Sequence, residues 1–187
     1  MNSHQTLPVT IENGHGEKLT FLRVVSNGET ETIEMEGRTI PGSGPTMHTH
    51  LRQDESFTVV QGRIGYQVFG GPEQFAAVGE HIHFPAGCPH RFWNAGTDEL
   101  IIKGYCSPPN NLQFFLTALY ASAKANHTPT GAPGFWDGAW LLTRYRSEFD
   151  MPQIPVFVKR VIFPIVVAIG SVLGKYRKYA DAPPPLV

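Results

Sequence analysis

The amino-acid sequence is poor in cysteine and in charge, and each shortage excludes a class of protein. Its two cysteines, Cys88 and Cys106, are too few for a disulfide framework. Charged residues make up 17% of the chain, the formal net charge is −1, and no basic run precedes the C-terminal part, so we expect no nucleic-acid partner. The first residues also lack the apolar core of a signal peptide, so we expect a cytoplasmic location.

Glycine and proline are abundant instead. The 187 residues include 19 glycines and 16 prolines, which favours a turn-rich β protein over a helical bundle. A chain of this length suits one domain of ordinary size with appended elements. Strands are predicted at 19–26, 31–40, 46–50, 55–60, 63–69, 74–78, 81–84, 90–94 and 98–106.

Histidine, glutamate, glycine and proline recur at defined spacings in two segments. The first segment has the pattern G-x5-H-x-H-x4-E-x6-G, which is filled by Gly42, His48, His50, Glu55 and Gly62. The second has the pattern G-x5-P-x-G-x2-H-x3-N, which is filled by Gly79, Pro85, Gly87, His90 and Asn94. Three imidazoles and one carboxylate that converge on a point make a site for a divalent transition metal.

Strand geometry explains how these four side chains can meet. Successive side chains of a strand point to opposite faces, so His48 and His50, two positions apart, point the same way. Glu55 begins the next predicted strand, and two adjacent antiparallel strands can therefore aim all three at one interior point. His90 follows the turn at 85–89, where prolines and a glycine shape a sharp reversal of the chain.

Both patterns resemble the two motifs of the cupin superfamily, and every motif position is filled. The resemblance implies a mainly β fold, a jelly-roll β-barrel of the cupin type, here with appended C-terminal α-helices. It also implies one divalent transition metal at the centre of the barrel, either iron, manganese, nickel, copper or zinc. The ligands that it implies are His48, His50, Glu55 and His90. The motifs say nothing about the C-terminal part of the chain.

The side chains that share a face with the ligands are mostly apolar or aromatic. By strand alternation, the substrate pocket is predicted to contain Phe57, Val59, Tyr66 and Phe92, and Met47, next to His48, is a further candidate. Ile82 and Phe84 also face inward, which turns His81 and His83 outward and removes them from the ligand set. Glu55 is a ligand and, by partial dissociation from the metal, a candidate catalytic base.

Such a site favours an oxygenase-like enzyme. A divalent metal with open coordination positions can polarise a bound carbonyl, acidify a bound water or bind O₂ beside a chelated substrate. An apolar pocket favours a small apolar or aromatic molecule as the substrate. Two alternatives stay open, namely a non-catalytic small-molecule-binding or sensing module, and a metal-dependent isomerase of a sugar derivative, which a charged pocket would support.

Three segments are predicted along the chain. Residues 1–17 form a loosely held arm, residues 18–107 form the barrel, and residues 108–187 form a helical extension packed on the barrel or on the partner in a homodimer. Within the extension we predict a helix over 112–126, capped by Asn110 or Asn111, a loop over 128–138 and a second helix over 139–149.

The most apolar stretch of the sequence lies near its C-terminal end. Its uninterrupted part, 161–174, is shorter than the ~20 residues that span a bilayer, and Pro164 is expected to break or kink a helix there. We expect burial against the barrel or a second subunit for Val161, Ile162, Ile165, Val166 and Ile169. The alternative is peripheral contact with a membrane surface, because Lys175, Arg177 and Lys178 follow and would suit anionic headgroups.

Overall fold

Short antiparallel strands build the first half of the structure, a computed structural model that describes residues 7–127 and 131–187. In chain order these strands are β1 (Val9–Glu12), β2 (Glu17–Ser26), β3 (Glu31–Thr39), β4 (Thr49–His50), β5 (Asp54–Gln61), β6 (Ile64–Val68), β7 (Gln74–Ala76), β8 (His81–Phe84), β9 (His90–Asn94) and β10 (Leu100–Ser107). Six pair in the order β1-β2-β3-β10-β5-β8, and three pair in the order β7-β6-β9. The predicted mainly β fold is confirmed.

The two sheets enclose an apolar core. Side-chain alternation directs one face of each strand inward, and the buried cluster consists of Phe57, Val59, Ile64, Ala76, Ile82, Phe84, Leu100 and Ile102. Strand β8 shows the alternation plainly, because Ile82 and Phe84 are buried while His81 and His83 are exposed. The prediction that these two histidines face away from the interior is therefore correct.

The second half of the structure is largely helical and covers one end of the barrel. It contains α1 (Leu112–Asn126), α2 (Phe135–Arg144), the short strand β11 (Phe149–Asp150), a π-helical turn (Val158–Ile162), α3 (Phe163–Val172) and a 3₁₀ turn (Arg177–Tyr179). A shared core joins these elements to the strands, and its buried members include Phe21, Ile33, Met35, Cys106, Leu112, Phe115, Trp140, Leu141, Tyr145 and Phe149. Strand β11 also pairs with β4, placing Phe149 opposite His50.

The N-terminal segment is more ordered than the predicted loose arm. Residues 1–6 lie outside the described residues, but β1 pairs antiparallel with β2 of the same chain, with Val9 opposite Phe21. Val9 and Ile11 pack against the core shared with the helices. The alternation of these two apolar residues with Thr10 and Glu12 explains why this short segment forms an edge strand.

Two helix boundaries differ from their predictions. Helix α1 covers the predicted residues, but the side chain of Asn111 does not cap it, because its Nδ2 donates to Glu148 Oε1 at 2.6 Å. Helix α2 begins at Phe135, so 135–138 are helical and not part of a loop, and it ends at Arg144. It cannot continue to 149, because Phe149 is needed as a strand residue beside β4.

The apolar C-terminal stretch is helical through Pro164. The π-helical turn precedes α3, and the N–H of Phe163 donates to the carbonyl of Val158 across it. Pro164 lies in the first turn of α3, directly after the π-helical turn. The widened turn therefore accommodates the proline without breaking the chain into two helices.

Burial along this stretch is the main departure from the sequence-based expectation. Helix α3 buries Phe163 and Gly170 against the protein, while the side chains on its other face stay in solvent. Four of the five residues expected to be buried are exposed within the chain, namely Val161, Ile162, Ile165 and Ile169, and Val166 is half-buried. Within the chain these side chains are not buried against the barrel, because α3 packs against α2. Their burial against a second subunit stays a prediction.

Candidate metal centre

Four side chains with metal-ligating atoms meet at the end of the barrel that the helices cover. His48, His50, Glu55 and His90 each offer one such atom, and these atoms all lie within 4.8 Å of one another. His50 comes from β4, Glu55 from β5 and His90 from β9. His48, just before β4, exchanges backbone hydrogen bonds of 2.9 and 2.8 Å with His90, which joins the two sequence motifs directly.

Backbone carbonyls orient two of the three imidazoles. His48 Nδ1 lies 2.7 Å from the carbonyl of Thr46, and His90 Nδ1 lies 2.9 Å from that of Cys88. A carbonyl oxygen only accepts, so each Nδ1 carries a hydrogen, which leaves Nε2 as the ring atom available to a metal. His90 Nε2 faces Glu55 Oε2 at 2.8 Å, and His50 Nε2 lies 3.8 Å from the same oxygen. Imidazoles oriented in this way, together with a carboxylate, fit a divalent transition metal.

The electrostatics of the cluster keep its groups in the forms that bind metals. Burial lowers the pKa of His48 to about 3, helped by the neighbouring His90 and His50, and burial also lowers the pKa of His50. Burial alone would raise the pKa of Glu55, but the attraction of the three histidines outweighs it and lowers that pKa to about 2. At neutral pH the site therefore presents uncharged His48 and His50 rings and a charged carboxylate.

Cys106 and two aromatic rings contact the side chains of the cluster. The sequence did not indicate this supporting role for any of them. The buried Cys106 Sγ donates to Glu55 Oε1 at 3.6 Å, and burial beside that carboxylate raises the pKa of the thiol well above its usual value. Phe84 stacks on His90 with ring centroids 3.8 Å apart, and Phe149 meets His50 edge-on at 5.6 Å. Cys106 and Phe149 come from β10 and β11, far from the motifs in sequence, so the motif spacing gives no signal for them.

A cavity of about 440 Å³ opens beside the cluster. His48, His50 and Glu55 lie on its wall, as do two of the predicted pocket residues, Phe57 and Phe92. The other three predicted pocket residues do not line it, namely Met47, Val59 and Tyr66. Strand alternation predicts which face of the sheet a side chain lies on, but not how far along the strand it lies from the ligands. Val59, four positions beyond Glu55, is roughly 13 Å away along β5 and belongs to the barrel core.

The C-terminal extension forms the opposite wall of this cavity. Helices α1 and α2, strand β11 and the segment that follows contribute an apolar lining of Phe115, Leu116, Leu119, Leu141, Leu142, Phe149, Ile154 and Phe163. The pocket predicted from the sequence consisted of residues of the barrel strands alone. The helical periodicity of 112–126 indicates an apolar face, but the sequence does not say that this face lies over the ligands.

The carboxyl group of Glu17 also lies on the cavity wall, with two hydrogen-bond donors beside it. Glu17 accepts hydrogen bonds from the Tyr120 hydroxyl at 3.1 Å and from Asn13 Nδ2 at 2.7 Å, and all three residues line the cavity. Burial raises the pKa of Glu17, although its two hydrogen bonds act in the opposite direction. The same environment raises the pKa of Tyr120 well above its usual value. A carboxyl group that holds its proton more tightly can donate to, or accept a proton from, a bound molecule.

Comparisons with known proteins agree with this geometry. Residues 35–104 match the family model of the cupin domain. The chain is 35% identical over 68 residues to the oxidoreductase iacF of Pestalotiopsis fici, covering 35% of this chain and 33% of that protein. It is 30% identical over 125 residues to the probable oxidoreductase virH of Hypocrea virens, covering 54% of this chain and 57% of that protein. The matches thus span a third to somewhat over half of each relative.

Part of the chain is also similar to a solved structure, KdgF from a Halomonas species, at 21% identity and a TM-score of 0.44. The match covers 54% of this chain and 86% of KdgF. The family assignment rests on the filled motifs, the sequence match over 35–104 and the way the barrel brings the four motif ligands together. The chain carries a cupin domain over residues 35–104.

Proposed function

We propose that this protein is a metal-dependent oxidoreductase of the oxygenase type that acts on a small, largely apolar or aromatic molecule. The observation that carries the proposal is the arrangement of the cavity. Three members of the ligand cluster lie on one wall, while the facing wall is built from aromatic and aliphatic side chains. The two curated relatives bear the name oxidoreductase, which supports the same reaction class.

The residues of the cluster fit a metal that has room for substrate. His48, His50, Glu55 and His90 would hold it, and the cavity beside them would give a substrate access to it. A redox-active metal bound there would supply an electron path between an organic substrate and O₂. A dioxygenase reaction incorporates both oxygen atoms into the substrate, so it balances without an external reductant.

The surrounding side chains would bind and orient the substrate. Phe57 and Phe92 offer aromatic surface on the barrel side, and Phe115 offers it on the helix side. Burial of apolar substrate area between these walls would exclude water from the reacting atoms. The ring of an aromatic substrate would thereby be held beside the open side of the ligand cluster.

Glu17 is a better proton acceptor than Glu55 for such a reaction. A carboxylate with a pKa of about 2 is a weak base, which suits Glu55 to ligation. Glu17 has a raised pKa and shares a hydrogen bond with Tyr120 on the cavity wall. We therefore assign proton transfer or the binding of a substrate hydroxyl to Glu17, and we retain Glu55 as a ligand.

The lining also distinguishes the alternatives. An isomerase of a sugar derivative would need polar and charged groups for several hydroxyls, but the wall is mostly hydrocarbon. A pure binding module would be favoured if protein closed every coordination position, whereas His48, His50 and Glu55 all reach the cavity surface. Neither alternative has a specific observation in its favour.

The first test is the metal content of the purified protein, measured by plasma mass spectrometry together with the His48→Ala variant. His83→Ala is the matched control, because it removes an exposed imidazole from a strand of the same barrel. We expect about one redox-active metal per chain in the wild type and in His83→Ala, and a loss of it in His48→Ala.

The second test is oxygen consumption by the metal-loaded protein with a panel of aromatic and enolic compounds. The proposal predicts substrate-dependent O₂ uptake that disappears in His48→Ala and persists in His83→Ala. A protein that binds no metal after reconstitution would contradict the ligand assignment. A protein that binds metal but consumes no O₂ with any compound of the panel would favour the binding module.

A further inference from the structure

An unusual surface lies on the outer side of the C-terminal helical segment. Phe157, Ile165, Ile169 and Val172 are 64%, 52%, 49% and 89% exposed, and Val156, Val161 and Leu173 are exposed beside them. We call these seven residues the apolar stripe. Their spacing of three to four positions puts most of them on one helical face, so they form one contiguous surface rather than scattered exposed residues.

The charged residues of the segment that carries the apolar stripe are all basic. Residues 151–180 contain no aspartate or glutamate but include Lys159, Arg160, Lys175, Arg177 and Lys178, in a chain whose formal net charge is −1. Lys159 pairs with Asp150 and Lys178 with Asp137. Within the described part of the chain, Arg160, Lys175 and Arg177 form no salt bridge, and all three are exposed.

We propose that the apolar stripe docks on the surface of an anionic lipid bilayer. A helix with an exposed apolar face and cationic flanks lies in the plane of a membrane interface, where apolar burial and headgroup attraction add together. We do not propose that the helix crosses the bilayer. Among the residues that the structure describes, no helix combines the length and the hydropathy that crossing a bilayer requires.

A second copy of this chain is a poorer occupant of the same surface. In a twofold dimer the stripe would face itself, which would bring Arg160 and Lys175 toward the like charges of the partner. The segment 151–180 has no carboxylate to neutralise them. Lipid phosphates and carboxylates provide the opposite charge that this surface requires. A homodimer formed through another face stays a prediction.

The position of the stripe relates it to the cavity. The same segment turns Ile154 and Phe163 inward to line the cavity while Phe157, Val161 and Ile165 point outward. Docking would therefore place this wall of the cavity next to the hydrocarbon boundary of the membrane. An apolar molecule dissolved in the bilayer would then lie close to the site.

The test is a vesicle flotation assay with phosphatidylcholine vesicles and with phosphatidylcholine–phosphatidylserine vesicles, each at low and at high salt. We expect the wild type to float with the phosphatidylserine vesicles at low salt and much less at high salt. The Arg160→Gln/Lys175→Gln variant should bind roughly 30-fold more weakly. Phe157→Ser/Ile165→Ser should lose at least about tenfold.

Val78→Ser is the matched control, because Val78 is 62% exposed but lies in the barrel, away from the stripe. It should bind vesicles as the wild type does, and circular dichroism should show that every variant is folded. Wild-type protein that does not float, or variants that float equally well, would overturn the proposal. Light scattering measures the oligomeric state. A dimer that is abolished in Phe157→Ser/Ile165→Ser but preserved in Val78→Ser would also contradict the proposal. These readouts do not depend on bound metal or on activity.

Discussion

Single residues outside the motifs determine how well the ligand cluster is held. Cys106 donates its S–H to the Glu55 oxygen that does not face His90, and Thr46 and Cys88 fix the tautomers of two histidines through their carbonyls. The convergence of His48, His50, Glu55 and His90 could be predicted from the sequence because their spacing is local to two segments. The supporting groups could not, because β10 reaches the site only through sheet pairing with β5.

Removal of the Cys106 thiol should weaken metal binding without abolishing it. In Cys106→Ala, Glu55 loses a hydrogen bond that orients it, and the metal affinity should fall by roughly tenfold. Competition with a fluorescent chelator measures this affinity. Cys88→Ala is the control, since the contact of Cys88 with His90 is made by its backbone carbonyl, which the substitution keeps. Equal affinities for both variants would show that the thiol does not position Glu55.

The raised pKa of Glu17 predicts a pH-dependent effect of the Glu17→Gln substitution. Burial favours the protonated form in the folded state, so Glu17 costs stability as the pH rises from its ordinary value of 4.5 through its raised value. Glutamine carries no charge and can still bond to Asn13 and Tyr120. The variant should therefore gain stability relative to the wild type near neutral pH and show little difference well below pH 4.5.

Urea unfolding at an acidic and a neutral pH checks this expectation. Glu12→Gln is the control with the opposite sign, because the hydrogen bond from Lys124 lowers the pKa of the exposed Glu12. That substitution should give no gain in stability as the pH rises. A gain of the same size in both variants would mean that general surface charge, and not the burial of Glu17, causes the effect.

At the scale of elements, strands with regular alternation and helices with clear periodicity were predicted closely. Strands β8 and β9 and helix α1 have the predicted bounds, because each is bordered by turn residues and has one apolar face. Strand β11 was missed, since two residues carry no periodicity and form a strand only through β4. The π-helical turn was missed for a similar reason, because it depends on how the chain accommodates Pro164.

Helix α2 should be as important for stability as a barrel strand. Leu141 is fully buried, lies in the core that contains Phe21 and Met35, and also lines the cavity. Leu141→Ala should lower the free energy of unfolding by about 2–5 kcal/mol, because it leaves an unfilled volume between helix and sheet. Urea unfolding measures the change, and Val78→Ala should stay within about 0.5 kcal/mol. A small loss for Leu141→Ala would mean that α2 is only loosely attached.

At the scale of the whole molecule, the barrel and the extension form one structure despite the predicted boundary at 107–108. The shared core, the β4–β11 pairing and the contact of Phe149 with His50 all cross that boundary. The last residues return as well, since Arg52 donates to the carbonyl of Val187 and Tyr145 donates to that of Pro183. Packing of the extension on the barrel was one of the two predictions for 108–187. Its particular contacts could not be predicted, because the family motifs contain no information about elements outside the barrel.

The fragment 1–110 should therefore fail to form a metal-binding barrel by itself. Without the helices, Phe21, Ile33 and Met35 would face water, and β4 would lose its partner strand beside His50. We expect the fragment to bind a hydrophobic dye, to unfold without cooperativity and to retain less than stoichiometric metal. A fragment with full metal content and a sharp unfolding transition would show that the barrel is independent.

The full-length Phe149→Ala variant separates loss of the fold from loss of support for the site. Phe149 is buried against both Phe115 and the ring of His50, so its removal should loosen His50 even where the chain stays folded. We expect a folded protein whose metal affinity is lowered by roughly tenfold. Leu141→Ala provides the comparison, because it perturbs the same interface without touching a ligand. If both variants lost affinity equally, the extension would act on the site through overall stability; a larger loss in Phe149→Ala would assign the effect to its contact with His50.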